Sequence, residues 1–193
     1  MRPGYLGRTV LGGSMKENAP SNAVSPQGRR VVVAVVNGEP GERIQAWRLQ
    51  HDPREAARIP PHTTLCYWAT GLDVDDLGLQ VCHAFPAAIP IGLGEVAEFE
   101  DEQGTFYVKM LQTSALDAAR RRLYDATHLD MGPAREWPWH VTCVRNTNGR
   151  DRRTLRSAAA TLAPGDTWLL DEVACLELRG DRYETVRSWR LDR

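Results

Sequence analysis

Two short stretches constrain this chain more than anything else in its 193 residues. The first is Pro61-His62-Thr63-Thr64-Leu65-Cys66-Tyr67. The second is Trp137-Pro138-Trp139-His140-Val141-Thr142-Cys143-Val144. Each sets a Thr two residues after a His, inside a run rich in β-branched and aromatic residues, and such runs read as strands. Side chains alternate faces along a strand, so residues i and i+2 point the same way. His62 therefore shares a face with Thr64, and His140 with Thr142. The two histidines stand 78 residues apart, room for one lobe of a small domain between them. Two such strands are expected to face each other across one cleft.

The flanking chain supports that arrangement. Residues 1–29 are rich in Gly, Pro, Ser and Asn without hydrophobic periodicity, which predicts a disordered tail. Residues 30–193 are expected to form one domain of two lobes. Arg30 to Val36 is a continuous β-branched run, a buried first strand. Residues 37–41 read as a loop and 42–50 as a helix with Ile44 and Trp47 on one side. The first His strand spans 62–68, and Asp73 caps a helix over 74–85. Strands follow at 89–99 and 105–111, then a helix at 115–127 with Ser114 as its cap. The second His strand spans 137–145, Asp151 caps a helix at 152–162, and 167–178 and 183–191 form a closing hairpin. The order strand, helix, His strand, helix, strand occurs in 31–99 and again in 105–178, which suggests a structural repeat.

Charge narrows the partners. With 24 basic and 25 acidic residues, the net charge is −1. No global positive field exists to hold long double-stranded nucleic acid by phosphate neutralisation. A nucleotide or a strand end needs only local donors and remains open. Cys66, Cys82, Cys143 and Cys175 show no C-x-x-C spacing, and all four are expected as buried thiols. No run of about 18 apolar residues predicts a membrane span, and the N-terminus lacks the apolar core of a leader. A cytoplasmic monomer is expected.

Imidazole ionises near pH 6.5 in isolation, so two of them across a substrate can work in opposite protonation states. One takes a proton from the nucleophile and the other supplies one to the leaving group. The Thr hydroxyls can donate to non-bridging phosphate oxygens as charge builds there. That set suits a phosphodiester with a neighbouring ribose hydroxyl and requires neither metal nor cofactor.

The two tetrapeptides His62-Thr63-Thr64-Leu65 and His140-Val141-Thr142-Cys143 resemble the mark of the 2H phosphoesterase superfamily, which includes the 2′-5′ RNA ligase-like proteins and the cyclic phosphodiesterases. Pro61, the stretch Leu65 to Asp73, and the opening strand Val31–Val36 fit the family's flanks. The resemblance covers about 30–193 and implies an α+β, bilobal, pseudo-twofold fold. In it two antiparallel sheets with outer helices surround a central cleft. It implies that His62 and His140 are catalytic and that Thr64 and Thr142 hold the phosphate. Cys143 departs from the aliphatic residue usual in the family.

Other residues near the motifs are candidates of lower weight. Tyr107 and three tryptophans (Trp68, Trp137 and Trp139) could stack on a nucleobase or pack the core. Lys109 and Arg145 could steady further phosphates. Arg120-Arg121-Arg122 reads as a solvated helix face. His51, His83 and His128 lack the Thr partner and read as surface or structural residues. The resulting expectation is a metal-independent phosphodiesterase for a nucleotide or an RNA end bearing a cyclic or 2′-5′ linkage. The rivals are a hydrolase of cyclic oligonucleotide signals and a non-catalytic module that binds RNA ends.

Overall fold

The architecture was read from a computed structural model that describes residues 29–67, 72–99, 104–128, 138–162 and 165–193. The expected tail falls almost wholly in 1–28, outside the described residues, as do Trp68 and Trp137.

The β-branched run becomes β1 (Arg30–Val35), buried on both faces from Val31 to Ala34. Its neighbours explain why no polar alternation appears there. β2 (His62–Tyr67) pairs with one edge and β7 (Glu172–Arg179) with the other, both antiparallel. β8 (Arg182–Arg190) completes a sheet ordered β2-β1-β7-β8. The second sheet runs β5-β4-β3-β6, built from β3 (Ile89–Glu98), β4 (Phe106–Leu111), β5 (His140–Val144) and β6 (Thr167–Leu170). The helices are α1 (Gly38–His51), α2 (Pro53–Arg58), α3 (Val74–Ala84), α4 (Ser114–Thr127) and α5 (Arg152–Ala159). This is the α+β, two-sheet arrangement that the sequence implied.

The repeat is present but interlaced. Both sheets carry the same three-strand pattern: a His strand at the edge (β2, β5), the strand before it in sequence (β1, β4), then a third strand. The third strand comes from the other half of the chain: β7 in the first sheet and β3 in the second. The lobes are therefore not the halves 31–99 and 105–178.

Several local expectations are corrected. The closing hairpin forms between β7 and β8, but its expected first arm, 167–178, is two strands in different sheets. Inward residues are Trp168 and Leu170 in β6, but Val173 onward in β7, so the period-2 phase breaks at Asp171, where the chain changes sheets. The loop expected at 37–41 is the first turn of α1, since Pro at the start of a helix loses no needed donor. A Cβ on Gly41 would run into the Val36 carbonyl oxygen, so only glycine lets the helix start this close to β1. Ser114 is inside α4; Thr113 holds the cap position, without a side-chain cap. Cys82 is exposed on α3, whereas Cys66, Cys143 and Cys175 are buried. Arg120 and Arg122 are not merely solvated. Arg120 lies 4.0 Å over the Trp139 ring, and Arg122 donates to Ala84 O at the end of α3 at 2.7 and 3.1 Å.

The main core gathers Val32, Ala34, Leu65, Phe85, Phe106 and Trp168 with the inner helix faces. A second cluster lies on the opposite face of the first sheet: Val31, Val33, Ile59, Ala174 and Leu176, with Tyr67 and Tyr183 against it. That second face carries His62.

Candidate functional site

Each His strand carries the same irregularity. Between β1 and β2, Val32 opposes Cys66 but Val33 opposes Thr64, which leaves Leu65 as an extra residue. Between β4 and β5, Phe106 opposes Val144 but Tyr107 opposes Thr142, which leaves Cys143 extra. A bulge of this kind bends the strand and re-aims the side chains beyond it. In a regular strand, Cys66 and Val144 would follow Thr64 and Thr142 on the open face. Both are buried instead. The residues returned to the open side are Tyr67 and Arg145, which line one pocket of about 320 Å³ together with His62 and Thr64. Tyr67 and Arg145 are thus structural counterparts, each five residues beyond its histidine.

The two imidazoles are held alike. His62 Nδ1 lies 2.7 Å from Pro60 O, and His140 Nδ1 lies 2.8 Å from Pro138 O. A carbonyl only accepts, so Nδ1 carries the hydrogen in both rings, and Nε2 is the atom left to gain or lose a proton. The residue two before each histidine is a proline, whose own nitrogen has no hydrogen to compete locally.

Burial pushes the His62 imidazole down to about 3. The Pro60 bond opposes that shift, and the positive charge of Arg48 and Arg145 and the nearby His140 add to it. Burial also lowers His140, against its Pro138 bond and with help from Arg145. Both rings are therefore neutral at pH 7. Cys143, the bulge residue between them and the core, is pushed up to about 12 by burial, so it stays an inert thiol.

Around His140, Phe99 and Tyr107 stack on each other at 4.0 Å and present to the imidazole at 4.9 and 5.4 Å in edge geometry. Arg48 lies on α1, only 2% exposed. It donates to Gln45 Oε1 at 3.2 Å and Glu55 O at 3.0 Å, and its Nε has no hydrogen-bond partner among the described residues. Burial lowers its pKa. It ties α1 to α2, whose end leads through Ile59 and Pro60 to His62.

Sequence comparison assigns the lineage: the family described as the 2′-5′ RNA ligase superfamily matches residues 36–182. The chain belongs to this superfamily. No match was found among curated proteins. Similar solved structures include a phosphoesterase (20% identity, TM-score 0.57, covering 86% of this chain and 99% of that one). Another is E. coli LigT complexed with 3′-AMP (20%, TM-score 0.55, 86% and 99%). A third is TT0787 of Thermus thermophilus (18%, TM-score 0.55, 84% and 97%). At these identities the likeness carries the fold.

Within this superfamily fold, the sequence candidates separate. His62, Thr64 and Arg145 line one pocket. His140 and Thr142 face the same side of the second sheet, opposite Lys109 and Tyr107. Lys109 is engaged elsewhere, with Nζ 2.6 Å from Glu95 Oε1. Tyr107 is 6% exposed and braces His140. Trp139 is a packing residue, buried, with Nε1 donating to Asp117 at 2.7 Å. His51 ends α1 against the Trp47 ring. Sequence reasoning missed Tyr67, Tyr183, Arg58 and Arg48. Tyr67 had a readable signal, because it stands at the same offset from His62 as Arg145 does from His140.

Asp52 was also missed, and it joins the lobes. Its Oδ1 accepts from Glu55 N at 3.3 Å as the cap of α2, and its Oδ2 accepts from Arg145 N at 2.9 Å. Asp52→Ala is expected to cost about 1 kcal/mol in stability for the lost cap. It is also expected to raise KM for a phosphodiester several-fold more than it lowers kcat, because Arg145 loses its anchor. A thermal melt and a steady-state titration check both parts. An unchanged KM would free Arg145 from this dependence.

Proposed function

We propose that this chain is a metal-independent phosphodiesterase acting on cyclic or 2′-5′ phosphodiesters of nucleotides or RNA ends. The observation that carries this is the matched pair of imidazoles, each tied through Nδ1 to the carbonyl of a proline two residues back. Such a pair exchanges protons only at Nε2.

The two environments support opposite roles. Burial pushes the His62 imidazole to about 3, which keeps it neutral and supports a role as base, and leaves His140 as the partner that carries the proton. His140 is the general acid and His62 the base. His62 Nε2 removes a proton from water as the water oxygen bonds to phosphorus. The bond from phosphorus to the leaving ribose oxygen breaks, and His140 Nε2 delivers its proton to that oxygen. The product is a phosphomonoester beside a free hydroxyl. Thr64 and Thr142 donate to the non-bridging oxygens, and Arg145 supplies positive charge. Run backwards, the same groups join a phosphate to a hydroxyl. Bound 3′-AMP and phosphate in crystals of LigT, a relative by fold, support a nucleotide phosphate as the ligand. Lys109 is a weaker phosphate contact, given its pairing with Glu95.

The test is turnover in excess chelator of nucleoside 2′,3′-cyclic phosphates, a 2′-5′-linked dinucleotide, and cyclic di- and trinucleotides. Hydrolysis of at least one is expected, and the preferred compound names the substrate branch. Binding of these compounds without turnover of any would replace the enzyme with a binding module.

A further inference from the structure

The pocket beside His62 does not end at the cleft. Its far wall is Arg58 and Tyr183, with the Arg58 guanidinium 5.7 Å from the centre of the Tyr183 ring. Arg58 also lines a second pocket, of about 340 Å³, with Arg54, Ala57, Gly180, Asp181 and Arg182. This pocket is formed where α2 meets the β7–β8 turn. Arg58 is partly occupied by Glu55, at 3.1 Å. Arg54 and Arg182 are exposed, and neither has an ion pair among the described residues. Arg145, Tyr67 and Tyr183 thus line the first pocket, and Arg58, shared by both, connects them to Arg54 and Arg182 in the second. Aromatic faces with interleaved cations are what single-stranded nucleic acid requires: bases stack, and phosphates find charge. In a chain of net charge −1, that concentration of arginine is local.

We infer that the Arg54–Arg58–Arg182 pocket is a second binding site, for the phosphates of a linear single strand whose terminal phosphodiester sits between the histidines. It rests on the proposed function and deepens it, because it favours a strand end over a mononucleotide or a compact cyclic oligonucleotide.

The experiment compares wild type with Arg54→Ser/Arg182→Ser, and with Arg121→Ser on the exposed face of α4 as a control. Arg58 is left intact because it lines both pockets. Binding of a fluorescent eight-nucleotide RNA ending in a 2′,3′-cyclic phosphate is followed by anisotropy from 50 to 200 mM salt. The double variant is expected to bind about tenfold more weakly at low salt, with a slope of log K against log salt flatter by about 1.4, for two phosphates on a single strand. Where turnover is measurable, kcat/KM for the strand relative to the cyclic mononucleotide falls by a similar factor. Strand binding equal to wild type, an equal loss in the Arg121→Ser control, or an equal loss for strand and mononucleotide each overturns the second site. Absence of turnover in wild type, with the binding difference intact, removes the hydrolytic reaction and leaves the strand site standing.

Discussion

His62→Ala and His140→Ala are each expected to lower kcat/KM on the preferred phosphodiester by about 10²–10⁴. The double variant should lose little more than either single one, since the acid and the base act in one proton-transfer event and removing either half disables it. The pH profile separates the roles. In the free protein both imidazoles lie below the ordinary value, and in the proposed mechanism the productive form has His140 protonated and His62 neutral. As pH rises through the lowered pKa of His140 the proton is lost, so kcat/KM falls on a limb below about 6.5. As pH drops toward about 3, His62 takes up its own proton and the opposite limb begins. The bell for kcat/KM is therefore expected on the acid side of neutrality. The bell for kcat is expected at higher pH, because a bound phosphate anion stabilises both imidazoliums. His140→Ala should erase the basic limb and His62→Ala the acid limb. A folded single variant within threefold of wild type would remove that histidine from the chemistry. Stability carries the same sign. Groups with lowered folded pKa values leave the unfolded chain binding more protons below pH 6.5. The fold therefore weakens as pH falls from there toward about 3, and activity at the acid end must be read against a melt at the same pH.

The histidine strands were legible because their signal is local. A β-branched run with His and Thr at i and i+2 fixes strand and face within a few residues. The bulges at Leu65 and Cys143 were not legible, since they exist only in the register with β1 and β4. They decide that Tyr67 and Arg145 face the open side instead of Cys66 and Val144. The exchange of third strands between halves was hidden for a similar reason: which sheet β3 and β7 join depends on partners far away in sequence. Its trace was the broken alternation at Asp171, which a continuous strand over 167–178 overlooked. Arg48 illustrates the hardest case. Its helical position beside Trp47 is readable, but burial of a guanidinium to 2% exposure depends on α2 folding back to offer Glu55 O. Lys109 erred in the other direction. Its place on a strand near the motifs was as expected, and the bulged register of β3 between Leu93 and Val96 brings Glu95 to it.

Thr64→Val and Thr142→Val carry the other large effect. Valine keeps the β-branch that suits a strand and removes only the hydroxyl, so the fold should change by less than about 1 kcal/mol at these half-buried positions. Each loss of a donor to the developing phosphate charge is expected to lower kcat by about 10²–10³. The Thr pair should differ from the His pair in how the losses combine. Two hydroxyls donating to separate non-bridging oxygens act independently, so the double Val variant should lose roughly the product of the single losses. Thr63→Val supplies the internal control. Thr63 lies between His62 and Thr64 but on the opposite, buried face, at 2% exposure, so its substitution should register in the melting temperature and not in kcat. If Thr64→Val or Thr142→Val raises KM with kcat intact, the hydroxyl binds the ground state as well as the transition state. If Thr63→Val matches Thr64→Val in kcat, the loss follows from damage to β2 as a whole. The face assignment of the strand would then have to be given up with the phosphate contact.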